Sequence, residues 1–342
     1  MPEGHSVHRI ALQFRRNFVG ERVAVSSPQG RFSADAALID GHIMTDARAI
    51  GKQLFLAFDN GLWLRVHLGL YGAWDFAGEI TVDDTIRSAR GRMGQTNQHG
   101  TVFDPAEQAQ REDGLRAATL LDSRGEDSIA SMGAPRRARL RMSESEKEDD
   151  SAFAFPPEPV GAVRARLLTE TAVADLRGPT ACQVIDEAQV AEVIAGLGPD
   201  PLVDDGPEVE DRVADVITSK QTPVGMLLMD QSVMSGIGNV YRAEMLFRAR
   251  LNPHTPGKKV PRETAKALWR DWAHLLDIGV RTGQMMTMDD LTPEDWTRAM
   301  ASREDRHWVY KREGLPCRVC GTHIVMEVMG ARKLYWCPNC QA

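Results

Sequence analysis

QSVMSGIGNVYRAE, residues 231–244, decides how the second half of the chain is read. Gly236 and Gly238 stand two apart, as glycines do in a dinucleotide-binding loop. That loop follows a strand, whereas here TPVGMLLMD (222–230) has helical periodicity. The stretch therefore reads as two helices joined by a tight glycine turn, with Asn239 expected to cap the second. Glycines let a phosphate approach, and the free N–H groups of a helix N-terminus attract an anion. Such a hairpin suits holding a nucleic-acid backbone without reading bases.

Outward from that turn, helical spacing continues in VEDRVADVI (209–217), NVYRAEMLFRA (239–249), RETAKALWRDWAHLLDIGV (262–280) and LTPEDWTRAMAS (291–302). Its Met- and Trp-rich faces read as core. The Gly-, Pro- and Asp-rich GLGPDPLVDDGPE (196–208) marks a domain boundary before it. Ahead of that boundary the pattern changes. Val7, Ile10, Ala11, Phe14 and Phe18 recur at helical spacing and Gly20 is a natural stop. KQLFLAF (52–58) alternates, placing Leu54, Leu56 and Phe58 on one face, and Asn60-Gly61 turns it into LWLRVHL (62–68). AVRARLL (162–168) and ACQVID (181–186) add strands. The fold class expected is multidomain, with α and β parts: an N-terminal β-sandwich with a leading helix over 1–195, a helical domain over 196–312, and a terminal hairpin over 313–342. Residues 94–152, rich in charge, Ser and Gly, read as a flexible insertion. PRRARLRM (135–142) within it suits either a solvated face or a phosphate contact.

The terminal segment carries CRVC (317–320), sixteen residues, then CPNC (337–340). Cys317, Cys320, Cys337 and Cys340 complete a tetrahedral zinc shell, so one structural Zn2+ is expected and His323 is not needed as a ligand. The metal supplies folding energy that so short a segment lacks in apolar burial. Between the pairs, MGARKLYW (329–336) would present Arg332 and Lys333 as a positive prong, or as two solvated cations. Cys182 reads as a small buried strand residue.

At 342 residues the chain has room for about two or three domains. It lacks an apolar run of membrane-spanning length, and its first residues lack a secretory leader, so a cytoplasmic location is expected. The net charge of −7 argues against a polyanionic partner only until it is placed. SESEKEDD (143–150) and DPLVDDGPEVEDR (200–212) sum to −4 and −5, leaving about +2 on the rest. In HLGLYG (67–72), Leu70 and Tyr71 sit in a glycine-flanked turn. They suit either inward packing or a wedge that fills the space left by a flipped nucleotide.

MPEGHSVHR (1–9), GKQLFL (51–56), HLGLYG, MSGIGNVYRAE (234–244) and C-x2-C-x16-C-x2-C, in this order, resemble the Fpg/Nei family of DNA glycosylases, and within it the endonuclease VIII (Nei) branch. The resemblance spans nearly the whole chain outside the insertion. It implies a helix–two-turn–helix motif, a zinc finger, damaged DNA as partner, no membrane and a monomer. It also implies a bifunctional glycosylase and abasic-site lyase of base excision repair, running β,δ-elimination.

With Met1 removed, Pro2 would be the nucleophile, since an α-amine of pKa roughly 7.7–8.0 is partly unprotonated near neutrality. Alone, Pro2-Glu3 could equally be an ordinary helix start. By resemblance Glu3 is the acid at the deoxyribose ring oxygen, Lys52 the proton donor for β-elimination, and Arg332 the phosphate contact assigned to δ-elimination. Asn239 matches a phosphate ligand, Leu70 and Tyr71 match void-filling residues, and Arg177 in ADLRG resembles an arginine near the opposite strand. Gly69 departs from the glutamine of some members. The region RTGQMMTMDDLTPEDW (281–296) lacks the GGTTLRDF-like stretch of the formamidopyrimidine branch, which favours oxidised pyrimidines. The alternative is a catalytically inactive, zinc-dependent binder of damaged DNA.

Overall fold

The structure is a computed structural model that describes residues 2–81, 131–133 and 155–342. The expected insertion at 94–152, with PRRARLRM, lies outside the described residues apart from a short strand at Ser131–Gly133. The chain divides into two units, Met1–Ile194 with Val280–Gly283, and Ala195–Gly279 with Gln284–Ala342.

Among the described residues of the first unit, helix α1 (Gly4–Asn17) precedes nine strands: β1 (Arg22–Ser26), β2 (His42–Ile50), β3 (Gln53–Phe58), β4 (Leu62–His67), β5 (Ala73–Gly78), β6 (Ser131–Gly133), β7 (Val163–Leu168), β8 (Ala172–Arg177) and β9 (Ala181–Asp186). They pair antiparallel in the order β6-β5-β8-β7-β1-β2-β3-β4-β9. Leu54, Leu56 and Phe58 of β3 point into one core with Leu64 and Val66 of β4, Trp74 and Phe76 of β5, and Leu167 and Leu176. This is a β-sandwich whose alternation places every second side chain inside. α1 inserts Val7, Ile10, Phe14 and Phe18 into the same core. There Phe14 meets Phe18, Trp74 and Phe76 at ring distances of 4.8–5.1 Å. The helix ends at Asn17 and Gly20 carries the positive φ, +93°.

A second helix, α2 (Ser33–Ile39), packs on β1 and β9. On the opposite face of β3, Phe55 joins Ile185 and Val190 in a smaller cluster under α3 (Glu187–Ala195). Neither helix is signalled strongly by the sequence: α2 has only seven residues, and α3 buries only Val190 fully.

The second unit holds α4 (Pro207–Ser219), a single-turn helix α5 (Val224–Leu227), α6 (Asn239–Arg248), α7 (Arg262–Thr282, whose last residues count with the first unit), and α8 (Pro293–Ala301). It ends in the hairpin β10 (Val325–Met329) and β11 (Arg332–Trp336). α5 is shorter than TPVGMLLMD suggests, because the chain leaves the helix after Leu228 into the long turn 229–238. Met234, Ile237, Tyr241 and Trp272 are buried there, Tyr241 and Trp272 meeting edge-on at 4.8 Å.

Truncation of Phe14 to Ala removes the ring on which α1 and the sandwich meet. A loss of about 3–5 kcal/mol is expected in urea unfolding of the folded protein.

Candidate functional site

Three turns of the first unit converge on one end of the sandwich. The registers Gln53↔His67, His67↔Ala181 and Ala73↔Arg177 place the β2–β3 turn, the β4–β5 loop and the β8–β9 turn side by side. The first of these is Gly51-Lys52, with Gly51 at φ +58° and Lys52 half-buried. His67 lies across from it, and its imidazole is held below its usual pKa by burial first and then by the charges of Lys52 and Arg65. That imidazole is a neutral neighbour for the lysine.

The β4–β5 loop carries Leu70 and Tyr71, 37% and 45% exposed. Gly69 takes φ +64°, and a Cβ there would stand 1.7 Å from Thr180 Oγ1. Any side chain at this position would meet both backbone strain and the threonine. Gly178, also at positive φ, passes so close that a Cβ would lie 2.9 Å from the Tyr71 carbonyl oxygen. The loop is thus fixed from below while its two apolar side chains face outward. Arg177 belongs to the support: its guanidinium pairs with Asp75 and donates to Val160 O at 2.7 Å. Burial lowers its pKa to about 10.

Pro2 and Glu3 precede α1, which begins at Gly4, so the reading of proline as a first-turn residue does not hold. Glu3 occupies the cap position in extended backbone, yet its side chain makes no capping bond and is fully buried. The first two turns of α1 are buried on every side, including His5, Ser6, His8 and Arg9. An amphipathic helix would hide one face only. Arg9 Nη1 donates to Val280 O at 3.1 Å. A Cβ on Gly283 would collide with the same guanidinium.

In the second unit, α6 turns three polar side chains inward. Asn239 is the first helical residue and Gly238 the cap, so Asn239 does not cap α6 as expected. Its Nδ2 instead donates to Lys333 O at 2.7 Å, because the hairpin lies against the helix start. Arg242, 1% exposed, donates to Asn239 Oδ1 at 2.5 Å and to Lys333 O and Met329 O, each at 3.3 Å. Glu244, fully buried, accepts from the N–H groups of Trp308, Val309 and Tyr310 at 2.7–2.9 Å and from Thr287 Oγ1 at 2.5 Å. Gln231 stitches the preceding turn by donating to Met229 O and Ile237 O while accepting from Gly236 N. Arg242 and Glu244 escaped the sequence reading; the available signal was two charges within the otherwise uncharged stretch 239–247.

Arg332 opens β11 directly after Gly330 and Ala331, both at positive φ, which makes the hairpin turn a two-residue one. Lys333 is exposed beside it. The Sγ atoms of Cys317, Cys320, Cys337 and Cys340 all lie within 4.8 Å of one another, with Cys317–Cys340 at 3.9 Å and Cys320–Cys337 at 3.5 Å. A zinc–sulfur tetrahedron has edges of about 3.8 Å, so the thiolates fit one Zn2+. Among the described residues this is the one cluster of His, Cys, Asp and Glu side chains placed to hold a metal, and His323 is not in it. Buried Gln341 ties the second knuckle to the chain just after α6, accepting from Cys337 N and donating to Leu251 O. Among the described residues no helix is long and apolar enough to cross a membrane.

Sequence profiles of known families match three stretches. The formamidopyrimidine-DNA glycosylase N-terminal domain matches residues 1–116, the H2TH domain of the same glycosylase 197–290, and the zinc finger found in FPG and IleRS 314–342. Endonuclease 8 1 of Mycobacterium tuberculosis (strain ATCC 25618 / H37Rv) is 34% identical over 341 residues, covering 100% of both chains. Formamidopyrimidine-DNA glycosylase of Thermus thermophilus is 38% identical over 119 residues, 35% of this chain and 44% of that one. Among solved structures, the Lactococcus lactis Fpg complex with abasic-site DNA superposes with TM-score 0.65 at 13% identity, covering 99% of each chain. The MutM (FPG) protein of T. thermophilus gives 0.58 at 21%, over 99% of this chain and 98% of that one. At those identities the two structures share the fold.

Two outcomes are expected. Cys337→Ser should lose the single zinc equivalent and the fold of residues 313–342, read by metal analysis and by proteolysis of that segment. His5 is wholly buried, and burial, then the Arg9 charge, lowers its pKa from 6.5 to about 3. Between those values the unfolded chain binds a proton that the folded one refuses. Stability therefore falls as pH drops through that window, by up to about 1.4 kcal/mol per pH unit. His5→Asn should flatten the slope by one proton in urea titrations across that range.

Proposed function

Because the chain belongs to the Fpg/Nei family of DNA glycosylases, DNA-repair enzymes, we propose that it removes oxidised pyrimidines and cleaves the resulting abasic site through its N-terminal proline. The observation that carries this reading is the pair at the start of α1. Pro2 is followed at once by a fully buried carboxyl group that the helix does not use as its cap. The full-length likeness to endonuclease 8 1 supports the Nei branch, as does the absence of a GGTTLRDF-like stretch from 281–296.

With Met1 removed, the Pro2 nitrogen attacks C1′ of a flipped nucleotide. The C1′–N bond breaks, its electron pair leaves with the base, and the base takes up the proton that the Pro2 nitrogen gives up. Glu3 then protonates the ring oxygen as the C1′–O4′ bond breaks and the sugar opens. The iminium so formed acidifies the C2′ hydrogen. Loss of that proton expels the 3′ phosphate, and a second elimination expels the 5′ phosphate before water releases Pro2. Lys52, at its turn beside His67, supplies the proton for the first elimination. Leu70 and Tyr71 fill the vacated stack from a loop supported by Thr180, Gly178 and Arg177. Asn239, Arg332 and Lys333 grip phosphates, so affinity should fall steeply with salt. Zinc is structural here, since four thiolates leave it no open position.

Borohydride should trap the protein covalently on an oligonucleotide bearing thymine glycol or an abasic site. A chain that retains Met1 should bind the same DNA and not be trapped. Glu3→Gln should slow base release by about 10²–10⁴-fold while sparing cleavage at an abasic site made beforehand. Absence of any adduct, with Met1 shown to be gone and zinc bound, would leave a damage binder without catalysis.

A further inference from the structure

Arg242 is a buried guanidinium on α6 that donates to four neutral oxygens. Nη2 reaches Asn239 Oδ1 and Lys333 O, while Nη1 reaches Met329 O and Gly225 O, at 2.5–3.4 Å. A carboxamide has one acceptor end and one donor end. In Asn239 the acceptor is taken by Arg242, and one of the two N–H donors by Lys333 O. What the side chain still has to offer is the second N–H. Rotated by 180°, the same amide would turn its oxygen outward and repel an anion.

The two carbonyls that Arg242 holds also matter by position. Met329 and Lys333 flank Gly330, Ala331 and Arg332, the tip of the zinc-finger hairpin. A single forked cation therefore fixes both feet of the tip and the polarity of the amide three residues away on its own helix. Lysine, a point charge without the planar fork, cannot span these acceptors.

We propose that Arg242 is a positioning residue for DNA cleavage: it locks Asn239 as a phosphate donor and sets the hairpin tip that carries Arg332. This inference rests on the glycosylase reading above. It predicts that loss of Arg242 weakens the grip on phosphate and the second elimination, while the Pro2 chemistry at saturating DNA continues.

The test compares wild type, Arg242→Met, Arg242→Lys, Asn239→Ala and the Met/Ala double variant on abasic-site duplexes. Zinc content of each is measured alongside. For Arg242→Met with zinc bound, KM should rise about tenfold, as the loss of one charge-assisted contact would give. kcat for borohydride-trappable turnover should stay within about twofold, a difference that small reflecting under half of the same energy scale. The share of δ- over β-elimination product should fall. The log-log slope of affinity against salt should shrink by about one phosphate. Arg242→Lys should fail to restore these, and the loss of affinity in the double variant should be smaller than the sum of the two single losses, because both variants remove the same oriented Asn239 amide. Wild-type KM, product ratio and salt slope in Arg242→Met would overturn the proposal. So would additive effects in the double variant, or loss of zinc in both Arg242 variants. If wild type itself forms no adduct and cuts nothing, the glycosylase reading falls instead.

Discussion

The buried carboxylate of Glu244 is the point on which the second unit hangs. Burial raises the pKa of Glu244, and a carboxyl group inside a protein is costly unless its oxygens find hydrogen-bond partners. Glu244 meets that demand with three consecutive backbone N–H groups, at 308–310, and one hydroxyl. Those three residues lie just before the segment that becomes the zinc finger. The carboxylate thus converts a desolvation penalty into a fixed direction for the chain. Arg242 and Asn239, earlier on α6, fasten the hairpin, and Arg248 later on it holds Asp271, Asp289 and the Thr287 carbonyl. One ten-residue helix therefore positions the finger and the loop at 287–289.

Zinc and these polar contacts divide the work. The thiolates hold two knuckles together within 4.8 Å, which gives the terminal segment an interior it could not build from apolar residues. They say nothing about where that segment sits on α6. Hydrogen bonds decide this, because they are directional and an unmade one is expensive when buried. Gln341 adds the last tie, from the second knuckle back to Leu251.

In the first unit the corresponding constraint is steric. Gly69, Gly178 and Thr180 approach so closely that no side chain larger than hydrogen fits at the glycines. The loop between them is closely packed at its base, although it displays Leu70 and Tyr71 to solvent. Exposed apolar side chains on a packed support suit insertion into a stack, where a mobile loop would lose more entropy on ordering.

Residue spacing alone determined a good deal. The Cys pairs named their metal, because so short an interval between thiolates leaves few other arrangements. Alternation in KQLFLAF and LWLRVHL put Leu54, Leu56, Phe58, Leu64 and Val66 inside, since a period of two admits one inward face. The order of five short motifs identified the family. What only the tertiary structure decided was the use of polar groups that periodicity cannot describe. Asn239 looked like a helix cap and is instead a bridge to Lys333. Arg177, which resembles an arginine near the opposite strand, is engaged with Asp75. Arg242 and Glu244, to which no motif gave a role, are the fasteners of the finger. Each of these fates depends on a partner between 17 and 102 residues away. Local sequence carries the period of a helix or strand, but a hydrogen bond between distant segments exists only once the chain has folded them together.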